Sequence, residues 1–517
     1  MVRPIRVFGW HLSPIPVSPR PVVVGFPPTL RVIEPMKRFG LLVVVSFAVV
    51  TGLACTRAAF ARAPIEPFET TSAHVPVSPI DRLVTARLKE LGIEPAPLCS
   101  DAVFVRRVYL DLLGMLPTAE EAKQFIDDPA PDKRAKLIDA LLKRPEFVDY
   151  RALKWGDLLR IKSEFPIKLW PNAVQAYSQW VHAALEDNVS YDYFVRRLLT
   201  ASGSNFREPP VNFYRAVQSR EPKAIAQAVA LTFMGVRPEA WTDEQWEAMS
   251  VFFSCIEYKS TDEWKEEIVS FDIEKSLEPE IAARLKAARF PDGTKATIPP
   301  GTDPRTVFAD WLIRPENPWF ARNIVNRVWY RLMGRGIIHE PDDIRDDNPP
   351  SNPALLAYLE KRFVESGYDL VELYREILNS RTYQQSSIPA SGEADPTAEA
   401  NFAYYITRRL DAEVLIDAIC QITGTSEEYV SPIPEPFTYI PEDLRTVQLF
   451  DGSITSAYLE MFGRPPRDTG LESERKNKPT ASQRLYLLNS THIQRKLTTG
   501  PKIRELLAAS KDPRDRL

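Results

Sequence analysis

Asn323, Asn326, Arg327 and Tyr330 follow the spacing i, i+3, i+4, i+7 and so share one face of a helix. Planar donors beside an aromatic ring, aligned in this way, could hold a carboxylate, a sulfate or a sugar. They could equally tie that helix to the acidic loop that follows it. The loop carries Glu340, Asp342, Asp343, Asp346 and Asp347 ahead of Asn348-Pro349-Pro350. Its oxygen density makes Asp342, Asp343, Asp346 and Asp347 weak calcium candidates, but the glycine and terminal glutamate of an EF-hand loop are missing. Pairing with Arg327, Arg331 or Arg335, together with capping of a helix that begins at Pro353, is the plainer account, and no metal is expected.

Two further clusters mix arginine with carboxylate: Arg106, Arg107 and Asp111, and Arg408, Arg409, Asp411 and Glu413. Buried bridges between helices are a common use of such clusters. Paired carboxylates could also do acid and base work on a glycoside, which requires a set separation that spacing in sequence does not fix. Beyond the leader the histidines are His74, His182, His339 and His492, without HxxxH or HExxH spacing. GxSxG, GxGxxG and phosphate-loop motifs are absent, and no cysteine lies near a histidine in sequence. Catalytic residues are therefore not identified.

The elements that must position these groups read as helices. Ile80, Leu83, Val84, Leu88 and Leu91 form an apolar stripe ending at Gly92, and a second helix runs from about Ser100 to Leu113. Thr118 with Glu121, Thr242 with Gln245 and Ser260 with Glu263 have capping-box spacing and read as helix starts. Asn317 as N-cap and Pro318 at the first helical position open a helix near 318–333, whose stripe of Ala321, Val325, Val328 and Leu332 faces a core. Helices near 353–366, 369–380 and 411–423 follow, with Asp411 placed to cap the last. Between the two helical regions the chain turns rich in Pro, Gly and Thr, and Asp292-Gly293 suggests a small hairpin. The expected fold is mainly α, two tandem helical domains with a small β hairpin near the linker: 79–268 and 303–517, joined by 269–302.

The formal charge is −4, from 65 basic and 69 acidic residues, so no net field draws nucleic acid or an anionic membrane. Met36-Lys37-Arg38, an apolar run from Leu41 to Ala54 and Ala59-Phe60-Ala61 read as a secretory signal, within a leader of 1–61 whose true start is expected at Met36. A linker of 62–78 follows. Membrane association is expected only if the signal is retained or Cys55 is lipidated. Cys99, Cys255 and Cys420 imply no disulfide framework and read as small apolar residues.

The strings at 105–118 and 187–199 resemble the planctomycete-secreted, cytochrome-associated domain. Those at 316–337, 342–353, 378–387, 408–419 and 462–475 resemble the second planctomycete-secreted domain that usually follows it. Both domains are of unknown biochemical function, and the resemblance implies an exported protein, often beside a cytochrome c module. Relatives typically continue past this C-terminus, so the end is expected to be truncated. Relatives also carry a haem-type CxxCH after the helix end Thr232–Arg237, where this chain reads PEAWTDEQW. Covalent haem needs two thiols and an adjacent histidine, and none is present there. The CxCER cysteines of relatives are here Leu471 and Ser473, and the histidine of NPPSHP is Asn352. The resemblance with these departures implies a haem-free branch with no cofactor, acting as a binding or scaffold component with protein partners in an extracytoplasmic assembly. A hydrolase acting on an exported polymer, and an electron-transfer protein with non-covalent haem, are the alternatives.

Overall fold

The computed structural model describes residues 74–440 and 443–509. The leader, the signal segment, Cys55 and the last residues lie outside them. Helix dominates at 53 %, against 4 % strand. Among the described residues no helix is long and apolar enough to cross a membrane.

Local chemistry sets most boundaries. The Pro79–Leu91 helix starts with a capping box of Ser78 and Asp81 and stops at Gly92 in the left-handed region, φ 69°. Thr118 with Glu121 and Thr242 with Gln245 form the expected capping boxes. Helices at Phe320–Met333, Pro353–Glu365, Leu370–Asn379 and Ala412–Thr423 stand where the apolar stripes place them. The first begins later than expected, at Phe320 with Trp319 as its N-cap and no side-chain cap bond; Pro318 lies in the turn before it, where Asn317 Oδ1 accepts the N–H groups of Trp319 at 3.0 Å and Phe320 at 3.1 Å.

Ser260 with Glu263 does not open a helix. Ser260 ends strand β2 (Ile256–Ser260), and an intervening turn with Lys265 at φ 62° leads into β3 (Glu267–Phe271). No apolar helical stripe follows that box, whereas the flanking strands alternate inward and outward residues. β1 (Gly203–Ser204) pairs with the far edge of β3, giving an antiparallel sheet of order β1-β3-β2. At Asp292-Gly293 a hairpin turn does form, closed by a single bridge between Arg289 and Lys295.

Beneath the helices lies a hydrophobic cluster whose members run from Ile80 to Tyr405, so residues before and after the sheet pack into one another. Tyr191 stacks on Phe320 with ring centroids 4.7 Å apart and also meets Trp155 at 6.0 Å and Phe363 at 6.1 Å. Each such buried ring contributes about 1.5–3 kcal/mol. A smaller cluster of Ile416, Leu449, Tyr458 and Phe462 supports the C-terminal helices. Cys99 and Cys255 are buried as small apolar residues, and Cys420 is half-buried.

Candidate functional site

Two of the four polar residues on the Phe320–Met333 helix share one buried acceptor, a third is buried against the chain beyond the helix, and the fourth lies apart. Asn323 Nδ2 donates to the carbonyl of Thr232 at 3.0 Å. Arg327 donates to the same carbonyl at 2.9 Å and to that of Leu231 at 2.7 Å. These carbonyls belong to the last turn of the Pro222–Met234 helix, where backbone acceptors lack intrahelical donors and a cation is favoured by the helix dipole. Asn326 holds the chain beyond its own helix, donating to Ile338 O at 2.9 Å and accepting from Ile338 N at 3.0 Å. All three side chains are fully buried. Tyr330 is only partly covered, its ring lying 6.5 Å from that of His339, and burial pushes its phenol up to about 12.

Gly235 explains how closely these parts meet. It sits at φ 67°, and a Cβ there would fall 2.7 Å from Asn323 Oδ1 and 2.8 Å from Ile344 Cδ1. The acidic loop disperses instead of converging. Asp342 is buried and pairs with Arg327 at 2.8 Å, while also accepting Glu472 N at 2.7 Å. Asp343 and Asp347 share the outward-lying Arg345, Glu340 pairs with Arg237, and Asp346 is exposed. Among the described residues no three His, Cys, Asp or Glu side chains are grouped to hold a metal ion.

A larger charge cluster joins the Pro145–Leu158 helix to the start of the Ala412–Thr423 helix and to the segment 464–477. Arg475 is its hub, bonding Asp157 at 2.6 Å and both oxygens of Glu413 at 2.6 and 3.1 Å. Arg467 reaches Asp157 at 2.9 Å, and Arg464 lies 3.7 Å from Glu413. Asp411 does not cap its helix. Its carboxylate instead pairs with Lys154 and accepts from Tyr150 at 2.7 Å and Asn477 at 2.7 Å. The other sequence clusters also cross the molecule. Arg408 bonds Asp111 at 2.8 Å, Tyr383 and Tyr405 each donate to Asp111 at 2.9 Å, and Arg107 donates to the carbonyls of Tyr383 and Gln385.

Electrostatics in the central cluster favour fixed charge over proton exchange. Burial alone would raise the Asp411 carboxyl, but the Lys154 ammonium and Arg475 guanidinium beside it hold it well below the usual carboxylate range. Asp157 is likewise held down, against burial, by Arg475 and Arg467. A glycosidase pair needs one carboxyl kept protonated near neutrality, and these two are kept ionised.

The folded state keeps Asp411 ionised far into acid, whereas an unfolded chain takes up the proton near about 3.9. The group therefore adds stability that is complete above that value and is lost as pH falls through its depressed folded value. Urea unfolding of the wild type is expected to weaken from about pH 5 downward. Asp411→Asn should start lower by about 3 kcal/mol and decline less steeply. Parallel curves for the two proteins would remove Asp411 from the acid response.

The histidines are scattered. His182 pairs with Asp149 at 3.1 Å, a bond that raises its pKa, and His492 meets Glu427 at 2.9 Å. A cavity lies between the Pro145–Leu158, Pro171–Glu186, Phe320–Met333 and Leu370–Asn379 helices, lined mainly by apolar side chains together with Arg151 and Arg331. Sequence reasoning missed Lys154, Asp157, Arg464, Arg467 and Arg475. The arginine-rich string 462–475 was the available signal.

Comparison with known proteins places these elements in two matched segments. Residues 79–250 match the family model PSCyt2, described as a protein of unknown function (DUF1549), and residues 304–504 match PSD1, described as a protein of unknown function (DUF1553). No curated protein and no solved structure matches the chain.

Proposed function

This chain belongs to the planctomycete-secreted, cytochrome-associated family, in which a PSCyt2 domain precedes a PSD1 domain, and from that premise we propose that it is an exported scaffold or binding component of an extracytoplasmic assembly, without covalent haem of its own. The observation that carries this reading is the use of its charged groups. Arg327, Asp342, Asp411, Glu413 and Arg475 are buried and spend their bonds on neighbouring segments, which suits a rigid frame better than a site that exchanges protons with a substrate.

The surface offers what a scaffold requires. Leu485, Leu488, Leu506 and Leu507 on the C-terminal helices are half or more exposed or close to it, and Met461 adds to the exposed apolar residues of this half. The segment where relatives carry CxxCH supports the haem-free part of the proposal. Arg237 there pairs with Glu340, and Trp241 packs against Trp246 and Trp319 at 4.7 and 5.8 Å, so that the segment after the helix end is filled by indole rings.

The test is isolation of the native protein from exporting cells supplied with haem, followed by sizing and an absorption spectrum. A stoichiometric complex without a Soret band on the purified chain is expected, and Leu488→Asp with Leu507→Asp should release the partner while leaving helicity unchanged. A monomer in gentle native extracts would sink the scaffold reading. A Soret band at one haem per chain would sink the haem-free part.

A further inference from the structure

We propose that the cavity between the Pro145–Leu158, Pro171–Glu186, Phe320–Met333 and Leu370–Asn379 helices binds a small carboxylate bearing a short apolar tail, held by Arg151. Two independent observations converge there. The first is the cavity itself, ≈ 30 Å³, walled by Trp155, Ile324, Val328 and Tyr374 and by Arg151 and Arg331.

The second is the state of Arg151. It is 6 % exposed, and its Nη2 donates to the carbonyls of Asp111 at 2.7 Å and Leu112 at 3.2 Å. Its Nε and Nη1 are buried and have no hydrogen-bond partner. Arg331, on the same wall, is neutralised by Glu472 at 3.0 Å from its Nε. Arg327, Arg467 and Arg475 each meet a carboxylate, whereas among the described residues Arg151 meets none within ion-pair distance, and unlike Arg107, which also meets none, it keeps two buried nitrogens without an acceptor. The rings of Phe147, Tyr150 and Tyr374 lie 5.0, 4.9 and 4.7 Å from its Cζ. Ring faces attract the cation but do not accept its remaining N–H bonds as an oxygen does.

A buried guanidinium in this state calls for an acceptor that is also an anion. Water would satisfy an N–H group and leave the charge unpaired; a carboxylate supplies both. The apolar wall then selects what the carboxylate carries. The volume is two to three times the roughly 10–15 Å³ that one water needs on the same measure, which admits a carboxylate head group and leaves its carbons to the mouth. Leu185, Val189, Leu370 and Val371 line the cavity where it is partly exposed, giving a tail an apolar path outward. Asn188 stands at that mouth and bonds Asp369 at 3.1 Å, joining the two helical segments that flank it.

Thermal unfolding of the full chain in sodium chloride, acetate, butyrate and hexanoate at matched ionic strength tests the proposal. A saturable rise in Tm with butyrate or hexanoate, absent with chloride, is expected. Val189→Trp, which fills the mouth and leaves the guanidinium in place, should weaken butyrate binding by roughly tenfold or more, a loss equivalent to about 1.4 kcal/mol. Arg151→Leu should abolish it; if that variant fails to fold, the Val189→Trp result decides alone. Equal responses to chloride and to the carboxylates, or butyrate affinity unchanged in Val189→Trp, would overturn the assignment.

Discussion

Arg475→Ala is expected to remove about 3–5 kcal/mol of stability, since truncating one partner of a buried ion pair leaves uncompensated charge behind. Here three carboxylates lose a partner at once: Asp157, Glu413 and, at 3.8 Å, Asp411. Asp157 retains Arg467 at 2.9 Å, but among the described residues Glu413, which is fully buried, retains only Arg464 at 3.7 Å. Such a loss is a large part of the 5–15 kcal/mol that holds a typical domain together. Arg475→Lys should recover part of the charge and little of the geometry, because an ammonium cannot bond Asp157 and both Glu413 oxygens from a planar fork. Arg475→Met combined with Glu413→Gln should be milder than Arg475→Ala alone, since it also removes the stranded carboxylate. Urea denaturation of the three variants measures this ordering. A loss below about 1 kcal/mol for Arg475→Ala would show that the cluster does not hold these segments together.

Arg327→Ala should be nearly as severe, at about 3 kcal/mol or more. It strips Asp342 of its partner and leaves the Leu231 carbonyl without its donor at the end of the Pro222–Met234 helix. Burial already pushes the Asp342 carboxyl up against the pull of Arg327, so removing the guanidinium should raise it further. A carboxyl whose folded pKa lies above its unfolded value favours the folded state least at high pH. The deficit of the variant relative to wild type should therefore be complete above the variant's folded value and shrink as pH falls from there to the wild type's own, already raised, folded value. Circular dichroism with thermal melts at two pH values checks both statements. If that face served chiefly to bind a ligand, truncation would leave Tm and helicity unchanged.

The parts legible in sequence were those governed by short range. Thr118 and Thr242 marked helix starts because a capping box closes within four residues, and the stripe of Ala321, Val325, Val328 and Leu332 marked a buried helix face. Ser260 failed because its box had the right spacing and no helical stripe behind it. Asp411 shows the opposite competition: a local cap was available, and bonds to Lys154, Tyr150 and Asn477 from distant segments took the carboxylate instead. Asn323 and Arg327 were legible as a face, and Arg327 as a partner for the acidic loop, but not as a joint to the Pro222–Met234 helix, since their acceptors at Leu231 and Thr232 lie on a helix with no complementary pattern. Arg464, Arg467 and Arg475 stand on an irregular stretch without periodicity, so their density is a signal but no pattern tells which of them are buried. Arg151 was invisible for a related reason: its isolation from carboxylates is a property of packing.

The ion pairs that cross from the Pro145–Leu158 helix to Asp411 and Arg475 bear on how genes for such proteins can change. A lineage that exchanged one half of the coding sequence for a diverged copy would inherit arginines without their acids, or acids without their arginines, at the seam. The two halves are therefore expected to travel together through descent and to accept substitutions at Lys154, Asp157, Glu413 and Arg475 in matched sets.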